Sequence, residues 1–122
     1  MLRSTRFALV SSFALLVTAC GTSPQQACKD ISATLCNKLY TCNTGAALDA
    51  VKLAFGATEA DCVTAQVATN NCDNTGTNCA SGKTYDAVAA TTCVNDLRNL
   101  SCSQISSGMT TTSSCSSSSI CK

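Results

Sequence analysis

Eleven cysteines and no histidine in 122 residues limit what this chain can fold into. The nearest cysteines, Cys36 with Cys42 and Cys115 with Cys121, stand six positions apart. Structural zinc sites use closer pairs such as C-x-x-C, often completed by histidine. The spacing predicts no metal site, and it excludes a C-x-x-C redox motif. Disulfides in an oxidising compartment are the remaining use. An odd count leaves one thiol over in an exported protein.

Cys20 is the natural odd one. Arg3 and Arg6 open the chain, the apolar run Phe7 to Val17 follows, and small Thr18 and Ala19 precede the cysteine. A basic start, a short apolar stretch and a small-residue exit make an export signal over residues 1–19. The run is eleven residues long, against roughly 20 for a membrane-spanning helix. The stretch Val17-Thr18-Ala19-Cys20 resembles the lipobox of bacterial lipoproteins, with valine where leucine is preferred. The resemblance implies lipidation of the Cys20 thiol, cleavage before it and acylation of the new amine. Several acyl chains give a stable anchor where one gives only marginal binding. Gly21 follows Cys20, where aspartate would mark the inner membrane of a Gram-negative envelope, so the outer membrane is the expected location. The membrane, reached through the lipid on Cys20, is then the one expected partner.

Cleavage before Cys20 leaves 103 residues, one small domain. Its aromatic side chains are Tyr40, Phe55 and Tyr85 alone. A core of Ala, Val, Leu, Ile and Cys buries little area, and such domains need staples. The cysteines after Cys20 are Cys28, Cys36, Cys42, Cys62, Cys72, Cys79, Cys93, Cys102, Cys115 and Cys121. Five bridges among them contribute roughly 2–4 kcal/mol each before non-additivity. Without Arg3 and Arg6, six basic residues face seven acidic ones. No basic patch forms, which argues against nucleic acid as a partner.

Periodicity predicts an all-α fold, a small disulfide-stapled bundle of three longer helices and one short one. Residues 20–26 read as the lipidated cysteine and a polar tether. Residues 27–102 form the helical domain. In a first segment, 27–42, Cys28, Ile31, Leu35, Leu39 and Cys42 share one face. A short second segment, 46–55, sets Leu48, Val51 and Phe55 on one side, and Gly56 ends it. A third, to about Asn70, opens with Thr58 as N-cap and Asp61 completing a capping box. A fourth, 84–100, repeats Tyr85, Ala89, Cys93, Leu97 and Leu100. Residues 73–83 form a polar loop. Thirteen of the last 22 residues are Ser or Thr, which predicts an irregular tail over 103–122, pinned only by Cys115 and Cys121. Cys72–Cys79 and Cys115–Cys121 are the favoured bridges, because short loops close readily. Cys28 and Cys36 lie about 12 Å apart along one helix, too far to bond.

The sequence yields no catalytic constellation and implies no cofactor. Without histidine a Ser-His-Asp triad is impossible. A Ser-Lys pair would need Lys29, Lys38, Lys52 or Lys83, and no motif marks one. Glu59 and Asp61 do not face each other at i,i+2; a helix N-terminus accounts for both. Asp73, Thr75 and Thr77 alternate like calcium ligands, but no further acid completes a site. Asn99-Leu100-Ser101 fits a glycosylation pattern that a bacterial origin makes irrelevant.

The stretches ACKDISATLCNKLYTC, FGATEADC and DAVAATTCVNDLRNLSC resemble small cysteine-rich lipoproteins of myxobacteria. That family has no assigned activity, so no site residue transfers. Cys79 and the Ser-rich C-terminus look like additions to its pattern. Elicitins, helical disulfide proteins that enclose a sterol, are a fainter likeness with different cysteine spacing. The expected function is a non-enzymatic, lipid-anchored envelope protein acting by structure or contact, with its protein partner unknown. The alternative is a carrier holding a sterol or acyl chain between helices, lined by Ile31, Leu35, Leu39, Val88 and Leu97.

Overall fold

Ser23 starts the first helix. Its hydroxyl accepts the Gln26 backbone N–H at 3.2 Å, and Pro24 takes the first helical position, where no amide hydrogen is needed. The computed structural model describes residues 22–74 and 79–122. The export signal expected over residues 1–19, together with Cys20, Thr75 and Thr77, lies outside the described residues. Helix α1 runs Pro24–Cys42, so the last three residues allotted to the tether are helical. Helices α2 (Gly45–Phe55), α3 (Glu59–Thr69) and α4 (Ala87–Asn99) follow. The fold is all-α and disulfide-rich, as the periodicity predicts.

Helix α1 is the central element, in contact with α2, α3, α4 and the start of the C-terminal region. Its buried side chains therefore exceed the single face read from the sequence: Ala27, Ser32, Thr34, Cys36 and Leu39. Burying the Ser32 hydroxyl needs a partner, and it donates to the Cys28 carbonyl at 2.9 Å. Helix α3 runs antiparallel to α1. Asn37 meets Glu59 and Cys36 bonds Cys62 near one end, while Cys28 bonds Cys72 near the other. Helix α4 runs parallel to α1. The Tyr85 hydroxyl donates to the Thr22 carbonyl at 2.8 Å, and Cys42 bonds Cys102 at the opposite end.

The tail is not irregular. Helix α5 (Cys102–Ser106), a 3-10 turn (Ser113–Cys115) and helix α6 (Ser117–Ile120) occupy it. Serine is the reason. Ser101 forms a capping box with Gln104, and Ser116 caps α6 through the Ser119 N–H. Ile105 and Ile120, the apolar residue in each short helix, enter the core with Ala27, Leu39, Ala90, Cys93, Leu97 and Leu100. The chain returns along α4. Ser114 donates to Asp96 at 2.6 Å, and Thr84 and Lys122 exchange backbone hydrogen bonds at 2.6 and 2.9 Å. This C-terminal cover is held by side-chain and backbone bonds as well as by cysteine.

The two favoured local bridges are wrong. Cys72 bonds Cys28, Cys79 bonds Cys121, and Cys115 bonds Cys93. Topology decides this over loop length. The antiparallel α3 delivers Cys72 to the start of α1, and the returning tail lays Cys115 on α4. Cys28 and Cys36 take separate partners.

Candidate contact surface

Of the titratable groups singled out in the sequence, Lys29, Lys38, Glu59, Asp61 and Asp73 are already engaged. Lys38 Nζ donates to the Leu100 carbonyl at 2.7 Å, closing the C-terminal end of α4. Lys29 pairs with Asp73 at 2.5 Å. Asp73 is thus half of an ion pair, and among the described residues no three His, Cys, Asp or Glu side chains gather as metal ligands. Glu59 accepts from Asn37 Nδ2 at 3.3 Å. Asp61 accepts the Thr58 N–H at 3.0 Å while Thr58 accepts the Asp61 N–H, the capping box read from the sequence.

Two open clefts of about 400 Å³ mark the surface. One lies between α1, α3 and α4, lined by Thr34, Asn37, Lys38, Glu59 and Arg98. The other lies where the tail meets α4, lined by Asp86, Val88, Thr92, Ser114 and Lys122. Lys122 Nζ reaches Asp86 at 2.6 Å. That hydrogen bond, with the Ala89 N–H, holds the Asp86 carboxyl below the usual aspartate range. Tyr40 and Tyr85 are held above the usual phenol value, first by burial and then by Asp61 and Asp86 respectively. These acids and phenols cap helices and tie segments together. Tyr40, for example, donates its hydroxyl proton to the Gly56 carbonyl.

The side chains expected to line a lipid cavity do not form one wall. Leu39 and Leu97 are buried in the core, Ile31 and Leu35 pack against it, and Val88 is 76% exposed. Helix α2 is the surface that the sequence reading passed over. Leu48, Val51 and Phe55 turn inward as predicted, but none of the helix is fully buried. Its other side carries Ala46, Ala50 and Leu53, all exposed, with Leu53 90% exposed. Positions 46, 50 and 53 recur at i, i+4 and i+7, the spacing of a second apolar stripe. That signal was available in the sequence, together with the lack of any cysteine between Gly45 and Phe55.

No family model, curated protein or solved structure matches the chain.

The place of α2 matters. Gly45 follows α1 after two residues, and Gly56 receives the Tyr40 hydroxyl, so both ends of α2 sit near the last turns of α1. Thr22 lies at the other end of a 19-residue helix, about 27 Å away at 1.5 Å per residue. The exposed apolar stripe and the point where the chain enters the domain occupy opposite poles. Among the described residues no helix is long and apolar enough to cross a membrane.

Proposed function

We propose that this protein is a non-enzymatic lipoprotein, anchored in the outer membrane through acylated Cys20, that acts by presenting a contact surface. The observation that carries the reading is the exposed stripe of α2 at the pole remote from Thr22. An anchor at the entry pole would hold that stripe away from the bilayer, where a partner can reach it. Five disulfides make the body between the poles stiff, and they suit an oxidising, exported setting. The non-enzymatic part is supported by where polar groups are committed. Lys29, Lys38, Glu59, Asp61 and Asp86 each have a structural partner. The likeness to myxobacterial lipoproteins supports the envelope setting and remains part of the proposal.

Intact mass of the protein taken from its native membrane tests the anchor. The expected mass is that of residues 20–122 plus a triacylated cysteine. An unmodified Cys20, or protein recovered wholly from the soluble fraction, overturns it.

A further inference from the structure

The outward side of α2 is complementary to itself. Helical geometry of 100° per residue puts Ala46, Ala50 and Leu53 at its centre. Asp49 and Lys52 lie together on one flank, and Ala47 and Ala54 on the other. Asp49 and Lys52 make no hydrogen bond or ion pair among the described residues, so both charges are available to a partner.

We infer that α2 is a homotypic docking helix, which pairs with α2 of a second copy of this chain in an antiparallel arrangement. A two-fold axis that reverses a helix keeps each flank on its own side. With the axis between residues 50 and 51, Asp49 of each copy faces Lys52 of the other. The same register brings Ala47 opposite Ala54 on the second flank. At the centre, Leu53 comes level with the midpoint between Ala46 and Ala50 of the second copy. One large side chain thus meets a hollow between two small ones, twice, by symmetry. Charge and shape select the same register independently, and small flanking residues permit the close end of the usual 8–10 Å axial separation. A bilayer does not fit as occupant, since it would sit at the opposite pole.

An eleven-residue helix covers far less than the roughly 800 Å² per partner of a stable interface. The pair is accordingly weak in dilute solution and favoured where copies share a surface, through raised effective concentration. The inference rests on the contact reading and names its partner, and the two fail separately. An acylated protein that never self-pairs sinks only the pairing. A self-pairing protein with bare Cys20 sinks only the anchor.

Zero-length carbodiimide coupling of the full chain, mixed from ¹⁴N- and ¹⁵N-labelled stocks, is the test. A peptide joining Asp49 of one label to Lys52 of the other is expected in a dimer-sized band. Asp49→Lys, which places like charges opposite and removes the carboxyl that is coupled, should weaken self-association about tenfold, read by sedimentation velocity. Asp49→Lys combined with Lys52→Asp should restore self-association, read by sedimentation velocity. Both residues are exposed, and an unchanged circular dichroism spectrum verifies folding in each variant. A monomer at every concentration up to millimolar overturns the inference. So does a dimer cross-linked only outside α2, or a double variant that fails to recover. Binding of the stripe to phosphatidylethanolamine–phosphatidylglycerol vesicles in place of self-pairing also overturns it.

Discussion

Helices α2 and α3 are each eleven residues long and lie one turn apart in the chain, yet they are held by different means. Helix α3 carries Cys62, fully buried and bonded to Cys36, and leads into Cys72, bonded to Cys28. Its N-terminus has a complete capping box. Helix α2 has no cysteine, no side-chain cap and no buried residue, although it is the more apolar of the two. The comparison separates two functions of hydrophobicity. In a domain with three aromatic residues from residue 20 onward, burial follows the covalent framework. An apolar helix outside that framework stays on the surface with one side unused.

Removing a staple is the strongest way to break this comparison. Replacing both Cys36 and Cys62 by alanine should lower unfolding free energy by about 2–4 kcal/mol. Denaturant unfolding monitored by circular dichroism measures it. If α3 were held chiefly by apolar packing, as α2 is, the double variant would lose well under 1 kcal/mol.

Gly56, the joint between the two helices, gives the next largest effect. Its φ is +118°, and a Cβ there would stand 2.5 Å from the Asp61 Cβ. Gly56→Ala should cost about 1–3 kcal/mol from backbone strain, with further loss as Asp61 is pushed from its cap. Gly45, also at positive φ, has open space around it, so Gly45→Ala should cost less. Equal losses at the two glycines would show that backbone conformation, not the Asp61 contact, governs the joint.

Both regions were legible in the sequence to different depths. Thr58 and Asp61 announced the start of α3 because a capping box is local chemistry. The run Cys28, Ile31, Leu35, Leu39 announced α1 because one helix face suffices to identify a helix. That run could not announce that α1 is central, because Ala27, Ser32 and Thr34 are buried by helices arriving from elsewhere. Disulfide partners were hidden for the same reason. Cys28 meets Cys72 across 44 residues, a matter of helix direction that no spacing encodes. The short helices of the tail were hidden by composition. Ser101 with Gln104 carried the capping pattern, but serine-rich sequence reads as loop when only Ile105 and Ile120 supply apolar contacts. The outward stripe of α2 was written plainly at positions 46, 50 and 53, and only its exposure needed the structure.

Acid should reveal the C-terminal cover, a third region held by polar bonds as well as by disulfides. The Lys122 hydrogen bond and the Ala89 N–H hold the folded-state pKa of Asp86 below its ordinary value of 3.8. A depressed carboxyl contributes stability that is fully present above the unfolded-state pKa and lost as pH falls through the folded one. The effect therefore lies below about pH 4. Asp86→Asn should flatten the acid limb of the stability curve there. An acid limb unchanged in Asp86→Asn would show that the tail is held by Cys121 and Ile120 instead.

The smallest expected effect bears most directly on α2. Leu97 is 2% exposed in the core, and Leu53 is 90% exposed. Leu97→Ala removes buried methyl groups and should cost about 2–5 kcal/mol. Leu53→Ala removes the same atoms from water-facing positions, and should change monomer stability by no more than about 0.5 kcal/mol. Helix propensity favours alanine slightly over leucine, so the change is as apt to stabilise as to destabilise. Thermal unfolding at micromolar concentration, where self-pairing is negligible, measures both variants side by side. A loss near that of Leu97→Ala would mean that Leu53 packs within its own chain, and α2 would then be an ordinary core helix with no side to spare.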